Sequence, residues 1–288
     1  MPAVLIHGGA GAASPKLRDH EAECRAALRE ALDSARAVLE SGGDALDAAQ
    51  AAVMVMEAFE LFNAGRGAAL TSDGSAELSA AVMRGSDRAA GAVAGARHTR
   101  HPILAARAVL ASSQVLLIGA RADEHAAAAG AEQVANAYFV TERQRGLLET
   151  RRHADTHGTV GAVCLDDAGV LAAATSTGGI TGQPAGRVGD SPLFGAGTWA
   201  DDHVAVSCTG DGEAFVRTAA ARYLAALVER GALPEPAADA ALAEVATLGG
   251  SGGLIALDAH GRGAMPFLTE AMPRGRWHSG GEPEVWVP

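Results

Sequence analysis

Thr159 follows Gly158 and opens the strand-like run Val160-Gly161-Ala162-Val163-Cys164-Leu165. A flexible glycine before a β-branched hydroxyl residue puts that hydroxyl at the head of a strand. If the Gly158–Thr159 bond were cut, one residue would hold both a nucleophile and a base. A threonine hydroxyl is weakly nucleophilic, but a free α-amine titrates near pH ~8 and takes its proton at neutral pH. Threonine with its own N-terminal amine is a variant of the serine–histidine logic. Residues 159–165 and 170–175 read as a hairpin around Asp166-Asp167-Ala168-Gly169, which brings Thr177 back towards Thr159. Thr175-Ser176-Thr177 also reads as plain β-propensity before a turn.

Two further stretches could serve such a nucleophile. Arg187 and Asp190 stand three apart in a Gly- and Pro-rich loop. As a surface ion pair they would be worth little; as a site, an Arg fork grips a carboxylate and an Asp accepts from an ammonium, which together read an amino-acid head group. Val204-Ala205-Val206-Ser207 reads as a strand ending in Cys208-Thr209-Gly210-Asp211-Gly212-Glu213, followed by an amphipathic helix to about Glu229. Thr209 then reads as its N-cap, with amides at the positive helix end that suit a developing oxyanion. His7 reads as a hydrogen-bonded core histidine, and the glycines after it complete neither a dinucleotide fingerprint nor a P-loop. His153 and His157 are four apart, but no glutamate makes an HExxH pattern and Gly158 ends any helix there.

The ordered motifs His7-Gly8-Gly9-Ala10-Gly11, Phe62-Asn63-Ala64-Gly65, Gly158-Thr159-Val160-Gly161, Ser176-Thr177-Gly178-Gly179, Gly186-Arg187-Val188-Gly189-Asp190-Ser191-Pro192, Cys208-Thr209-Gly210 and Leu248-Gly249-Gly250-Ser251-Gly252-Gly253 span nearly the whole chain. In them the chain resembles the plant-type L-asparaginase/isoaspartyl aminopeptidase family of threonine N-terminal-nucleophile hydrolases. The resemblance implies the four-layer αββα sandwich of that α+β class, and autocleavage between Gly158 and Thr159 into subunits 1–158 and 159–288. It gives Thr159 as nucleophile, Thr177 as its hydroxyl partner, and Thr209 with the Gly210 N–H as oxyanion hole. Arg187 and Asp190 would bind the aspartyl α-carboxylate and α-amine with help from Gly212, while Asn63 and Gly9 support the nucleophile. The substrates implied are L-asparagine and β-aspartyl dipeptides, and the assembly an (αβ)2 dimer of heterodimers. No cofactor is implied for catalysis, but a structural sodium ion on the backbone carbonyls of Phe59, Phe62, Ala64 and Arg66 is. Ser79 stands where the family usually has aspartate, Asp211 falls at a variable position, and the linker before Thr159, about Thr150 to Gly158, is short. A glycosylasparaginase-like amidase and an uncleaved, inactive binding homologue are the alternatives.

Composition sets outer bounds. The 288 residues, 48% hydrophobic, suffice for one large domain, and a net charge of −11 disfavours nucleic-acid or anionic-membrane partners. Cys24, Cys164 and Cys208 form neither a disulfide framework nor a CxxC pair; with a strand-like start in place of a signal peptide they give a cytoplasmic expectation. Strands are expected at Pro2–Ile6, Ala68–Thr71, Glu77–Met83, Ala90–Ala96, buried at Val115–Ile118, and at Leu254–Leu257 and Met265–Leu268. Helices are expected at Arg18–Leu39, Ala45–Glu57 behind an Asp44 cap with Asp47 in capping-box position, Pro102–Leu110, Ala122–Ala129, Glu142–His153 and Pro234–Leu248. The tail through Trp286 reads as packing or interface aromatics.

Overall fold

The computed structural model describes residues 1–13, 15–150 and 158–287. The His153/His157 pair and most of the short linker lie outside the described residues.

β1 (Ala3–His7) runs into the glycine loop, after which α1 (Pro15–Asp19) and α2 (Glu21–Glu40) replace the single helix expected, because the chain leaves helical geometry at His20. α3 (Ala45–Ala58) starts at Asp44, whose carboxylate accepts from the Asp47 N–H at 2.7 Å, and its apolar sides are buried as expected. Residues 68–71 are not a strand: they make only isolated bridges after the single turn Gly65–Gly67. β2 (Leu78–Arg84), β3 (Ala90–Ala96) and α4 (Pro102–Leu110) follow. β4 (Leu116–Ile118), expected buried, is instead the exposed edge of its sheet, with Ile118 67% exposed. α5 (Ala120–Ala128) and α6 (Glu142–Thr150) lead to the hairpin of β5 (Val160–Leu165) and β6 (Leu171–Thr177).

β7 (Thr198–Ala200) pairs with β8 (Val204–Gly210). The helix expected behind β8 is split into α7 (Gly212–Thr218) and α8 (Ala220–Glu229) by Ala219, which adopts φ 48°. Thr209 is not its N-cap. It belongs to β8, and Asp211 holds the cap position. α9 (Pro234–Thr247), β9 (Gly252–Asp258) and a short β10 (Gly263–Ala264) follow, and Phe267 adds only one bridge where a longer strand was expected. The tail is not merely aromatic packing: it forms β11 (Arg274–His278) and β12 (Glu284–Trp286), and Trp277 is buried in the core.

The strands make an eight-stranded sheet, ordered β12-β11-β1-β5-β6-β2-β3-β4, and a four-stranded one, β10-β9-β8-β7. Both are antiparallel except at β3–β4. Alternation sorts the side chains. Val4 and Ile6 of β1, and Val160, Ala162 and Cys164 of β5, join α2, α3 and α4 in one core. Ala3, Leu5, Val163 and Leu165 point the other way, into a core shared with Ala205 of β8 and Ile255 and Leu257 of β9. α8 and α9 cover the four-stranded sheet through a third core around Leu224, Leu242 and Leu254.

That register positions the site. β1 pairs with β5 so that His7 faces Gly161, and β5 with β6 so that Val160 faces Ser176. Continued past the strand ends, these ladders set Gly9 and Thr177 beside Thr159. The face that carries Leu5, Val163 and Ala173 between the sheets becomes, towards that end, His7, Gly161, Thr159, Thr175 and Thr177, opposite Ser207 and Thr209 of β8.

Ala219 is exposed, and its left-handed backbone costs an alanine about 1 kcal/mol that glycine avoids. Ala219→Gly is expected to raise the unfolding free energy by up to about 1 kcal/mol in urea denaturation. A lower midpoint would mean that the methyl group or the stiffness of alanine outweighs the backbone term.

Candidate active site

Thr159 lies buried at the start of β5, its hydroxyl donating to Thr177 Oγ1 at 3.3 Å and 3.4 Å from Ser191 Oγ. Thr177 accepts also from the Gly179 N–H at 3.0 Å and donates to the Gly158 carbonyl at 3.1 Å. Asn63, in the loop after α3, sends its Nδ2 to the same carbonyl at 2.8 Å and to that of Gly179 at 2.6 Å, while its Oδ1 accepts from the Ala69 N–H. The Gly158 carbonyl thus has two donors, and one of them, Thr177, also steers the Thr159 hydroxyl. Gly9 sits against this junction: at φ 107°, a Cβ there would come within 2.9 Å of Gly158 Cα.

Behind the junction runs a buried polar chain. His7 Nε2 meets Ser207 Oγ at 2.9 Å, Ser207 meets Thr175 Oγ1 at 2.8 Å, and Thr198 donates to Thr175 at 2.7 Å and to the Ser191 carbonyl at 2.9 Å. Burial pushes the His7 imidazole down to about 3, so it stays neutral and bonds as a core histidine. On the other side of the sheet, Glu57 of α3 accepts from Ser176 Oγ at 2.6 Å and the Ile103 N–H at 3.0 Å, and sits 3.2 Å from His101 Nδ1. Burial pushes its carboxyl upward, and the hydrogen bond with His101 opposes that. It fixes the end of β6 just before Thr177. Ser79 faces Thr177 across β2 and β6.

Thr209, the last residue but one of β8, is fully buried, and its Oγ1 accepts from the Ala10 N–H at 3.2 Å. Its own proton therefore remains to be donated. Gly210 lines one small pocket together with Thr159, Thr177, Arg187 and Asp190. Asp211 neither enters that pocket nor lies free in solvent: half-buried, it accepts from the Ser251 N–H at 2.7 Å. Cys208 is a buried thiol whose titration burial pushes far upward.

Arg187 and Asp190 are not an exposed ion pair. Arg187 sends Nε and Nη2 to the two carboxylate oxygens of Glu213 at 2.9 and 2.8 Å. Asp190 is buried, and its Oδ2 has no hydrogen-bond partner among the described residues. Burial pushes its carboxyl up to about 7; Arg187 opposes that rise and Glu213 adds to it. Gly212 makes room for the pair, since a Cβ there would lie 2.9 Å from Asp190 Oδ1 and 3.1 Å from Arg187 Nη2. Arg187 Nη1 also donates to Gln183 Oε1, at 3.4 Å. A guanidinium beside a buried carboxylate oxygen that lacks a partner fits a zwitterionic head group.

Sequence reasoning missed Glu213, Ser191, Glu57 and the hydroxyls of Thr175, Thr198 and Ser207. Ser191 follows Asp190 directly, a local signal, whereas Glu213 meets Arg187 from 26 positions away. Glu57 carried none, because its partners are distant in the chain.

The family model for Asparaginase matches residues 1–287. Curated relatives include the isoaspartyl peptidases of Salmonella typhimurium and Escherichia coli, each 46% identical over 99% of this chain and over 97% and 95% of their own lengths. The isoaspartyl peptidase/L-asparaginase of Homo sapiens is 36% identical over 98% of this chain and 97% of its own.

The buried Asp190 ties stability to pH. A carboxyl whose folded pKa is raised above its unfolded value stabilises the fold below about pH 4, and that contribution is lost as pH rises through about 7. Asp190→Asn removes the dependence, so its unfolding free energy relative to the parent is expected to rise between pH 4 and 8, by an amount on the order of 1 kcal/mol or more in urea titrations. A constant difference would mean that Asp190 is already ionised at the acid end.

Proposed function

The chain belongs to the asparaginase family, and from that premise we propose that it is an autoproteolytically activated hydrolase of β-aspartyl amide bonds. Its substrates are L-asparagine and isoaspartyl dipeptides, and it releases L-aspartate through an acyl-threonine intermediate. The observation that carries the reading is the Thr159 hydroxyl hydrogen-bonded to Thr177, beside a Gly158 carbonyl held by Asn63 and Thr177.

In the first stage the Thr159 hydroxyl attacks the Gly158 carbonyl carbon. Negative charge develops on the oxygen that Asn63 Nδ2 and Thr177 Oγ1 already hold. The C–N bond breaks as the Thr159 nitrogen takes a proton, leaving an ester that water hydrolyses to a Gly158 carboxylate and a free α-amine on Thr159. In the second stage that amine accepts the hydroxyl proton as Thr159 attacks the side-chain carbonyl of the aspartyl group. The Thr209 O–H, left free to donate by its contact with the Ala10 N–H, forms the oxyanion hole with the Gly210 N–H. The amine or ammonia departs with a proton, and water then cleaves the acyl ester and regenerates Thr159. Arg187 takes the α-carboxylate of the substrate and Asp190 Oδ2 its ammonium, which draws the Asp190 carboxyl back towards ionisation. Gly212 keeps that corner open and Gly9 supports the junction.

The remainder of the reading is of the same kind. Helices on one sheet, two sheets face to face and helices on the other are read as one domain with the four-layer αββα sandwich, cut into 1–158 and 159–288 and paired as (αβ)2. The turn after α3 curls its carbonyls inward so closely that a Cβ on Gly67 would lie 2.0 Å from the Phe62 oxygen and 2.6 Å from that of Glu60. Such a backbone cradle fits a sodium ion, which the carbonyls of Phe59, Phe62, Ala64 and Arg66 would hold; it would stiffen the loop that carries Asn63. Three buried free thiols support a reducing compartment such as the cytoplasm. Among the described residues, no helix is long and apolar enough to cross a membrane.

Denaturing mass spectrometry of the purified protein is expected to give two species divided between Gly158 and Thr159. Thr159→Ala is expected to give one intact chain with no hydrolysis of β-aspartyl substrates; fragments from that variant would remove Thr159 from the mechanism. Arg187→Ala is expected to cleave itself normally yet raise KM at least about tenfold, the loss of a charge-assisted pair. An unchanged KM would remove the head-group assignment.

A further inference from the structure

The aspartyl pocket is tight, with a cavity of about 10 Å³ between Thr159 and Arg187. Next to it is a second cleft of about 340 Å³. Gly210 lines both. Asparagine releases ammonia, which needs no such space, whereas the cleft falls within the size range of small-molecule sites, about 300–1,000 Å³. Resting on the hydrolase reading above, we propose that this cleft is the leaving-group subsite, built for β-aspartyl peptides whose leaving residue has a neutral or cationic side chain.

The walls are held in place by the backbone. Gly11 and Ala271 exchange two hydrogen bonds of 3.0 Å, the Gly8 N–H donates to the Pro273 carbonyl at 2.8 Å, and the Leu268 N–H to that of Gly252 at 2.7 Å. Both acidic side chains that line the cleft are tied as well. Glu270 Oε2 accepts from the Ala13 N–H at 3.1 Å, and Asp211 Oδ2 from the Ser251 N–H at 2.7 Å. A cleft so braced needs little ordering on binding.

Its chemistry sets the preference. Leu268 is 47% exposed and offers an apolar contact. Asp211 and Glu270 contribute two carboxylates, and the described lining contains no lysine or arginine. A leaving residue with its own side-chain carboxylate meets like charge there, and a lysine or arginine meets opposite charge. Every dipeptide carries the same terminal carboxylate, so comparing dipeptides isolates the side chain.

The test is kcat/KM of the self-processed protein for asparagine and for β-aspartyl-leucine, β-aspartyl-lysine and β-aspartyl-glutamate. The leucine and lysine peptides are expected to exceed the glutamate peptide by about tenfold. Glu270→Lys should shrink or invert the lysine-to-glutamate ratio, with Glu270→Gln in between. Leu268→Trp should lower the leucine-peptide-to-asparagine ratio by about tenfold. Ratios that none of the three variants moves would overturn the subsite while leaving the hydrolase reading intact. A processed wild-type protein that hydrolyses no β-aspartyl substrate would overturn the hydrolase reading and the subsite with it.

Discussion

The hydrogen bond from Asn63 Nδ2 to the Gly158 carbonyl, 2.8 Å long, joins two parts of the chain that lie 95 residues apart. One is the loop closing α3 and the other the first residue of the hairpin that contains Thr159. Without that tether the Gly158 carbonyl would keep only the Thr177 hydroxyl as donor, and that hydroxyl is itself shared with the Thr159 hydroxyl. The remaining contacts of Asn63, with Gly179 and Ala69, spend every hydrogen-bonding group of the amide on the same corner. Glu57, on the helix just upstream, performs the parallel task for β6 through Ser176.

A second constraint lies between the sheets. Strands buried on both faces ordinarily carry apolar side chains throughout, and most of this interface does so. At the end near Thr159 the same alternating positions hold His7, Ser207, Thr175 and Thr198, each hydrogen-bonded to the next. Pairing offsets much of what these groups lose on burial, and the chain rigidifies what it touches. The fit is close: a Cβ on Gly161 would lie 2.0 Å from Ser207 Oγ and 2.4 Å from His7 Nε2.

Much of this was legible in the sequence, for physical reasons that also mark where legibility stopped. The 159–177 hairpin, α4 and β8 followed from periodicity and turn residues, and the glycine-flanked hydroxyls named the corner where the site forms. The break at Ala219 could not be read, because alanine is the best helix former and tertiary packing overrode it. Thr209 looked like a helix cap because its strand runs further than its propensities suggest; pairing of Thr209 and Gly210 with Gly253 and Gly252 extends it. β11 and β12 were missed since their short, charged segments gain strand character only by pairing beside β1. The grip of Glu213 on Arg187 joins residues of opposite charge 26 positions apart, which no local pattern reveals.

That grip has a consequence for affinity. With Glu213 already facing the guanidinium, an arriving carboxylate shares Arg187 with an anion in place and gains less than it would from an unpaired arginine. The unmatched group is Asp190, whose buried Oδ2 has no hydrogen-bond partner among the described residues. On the proposed reading, discrimination at this corner would therefore fall on the cationic end of the incoming molecule: deaminated or N-acylated analogues would forfeit more of the binding than those that alter the carboxylate.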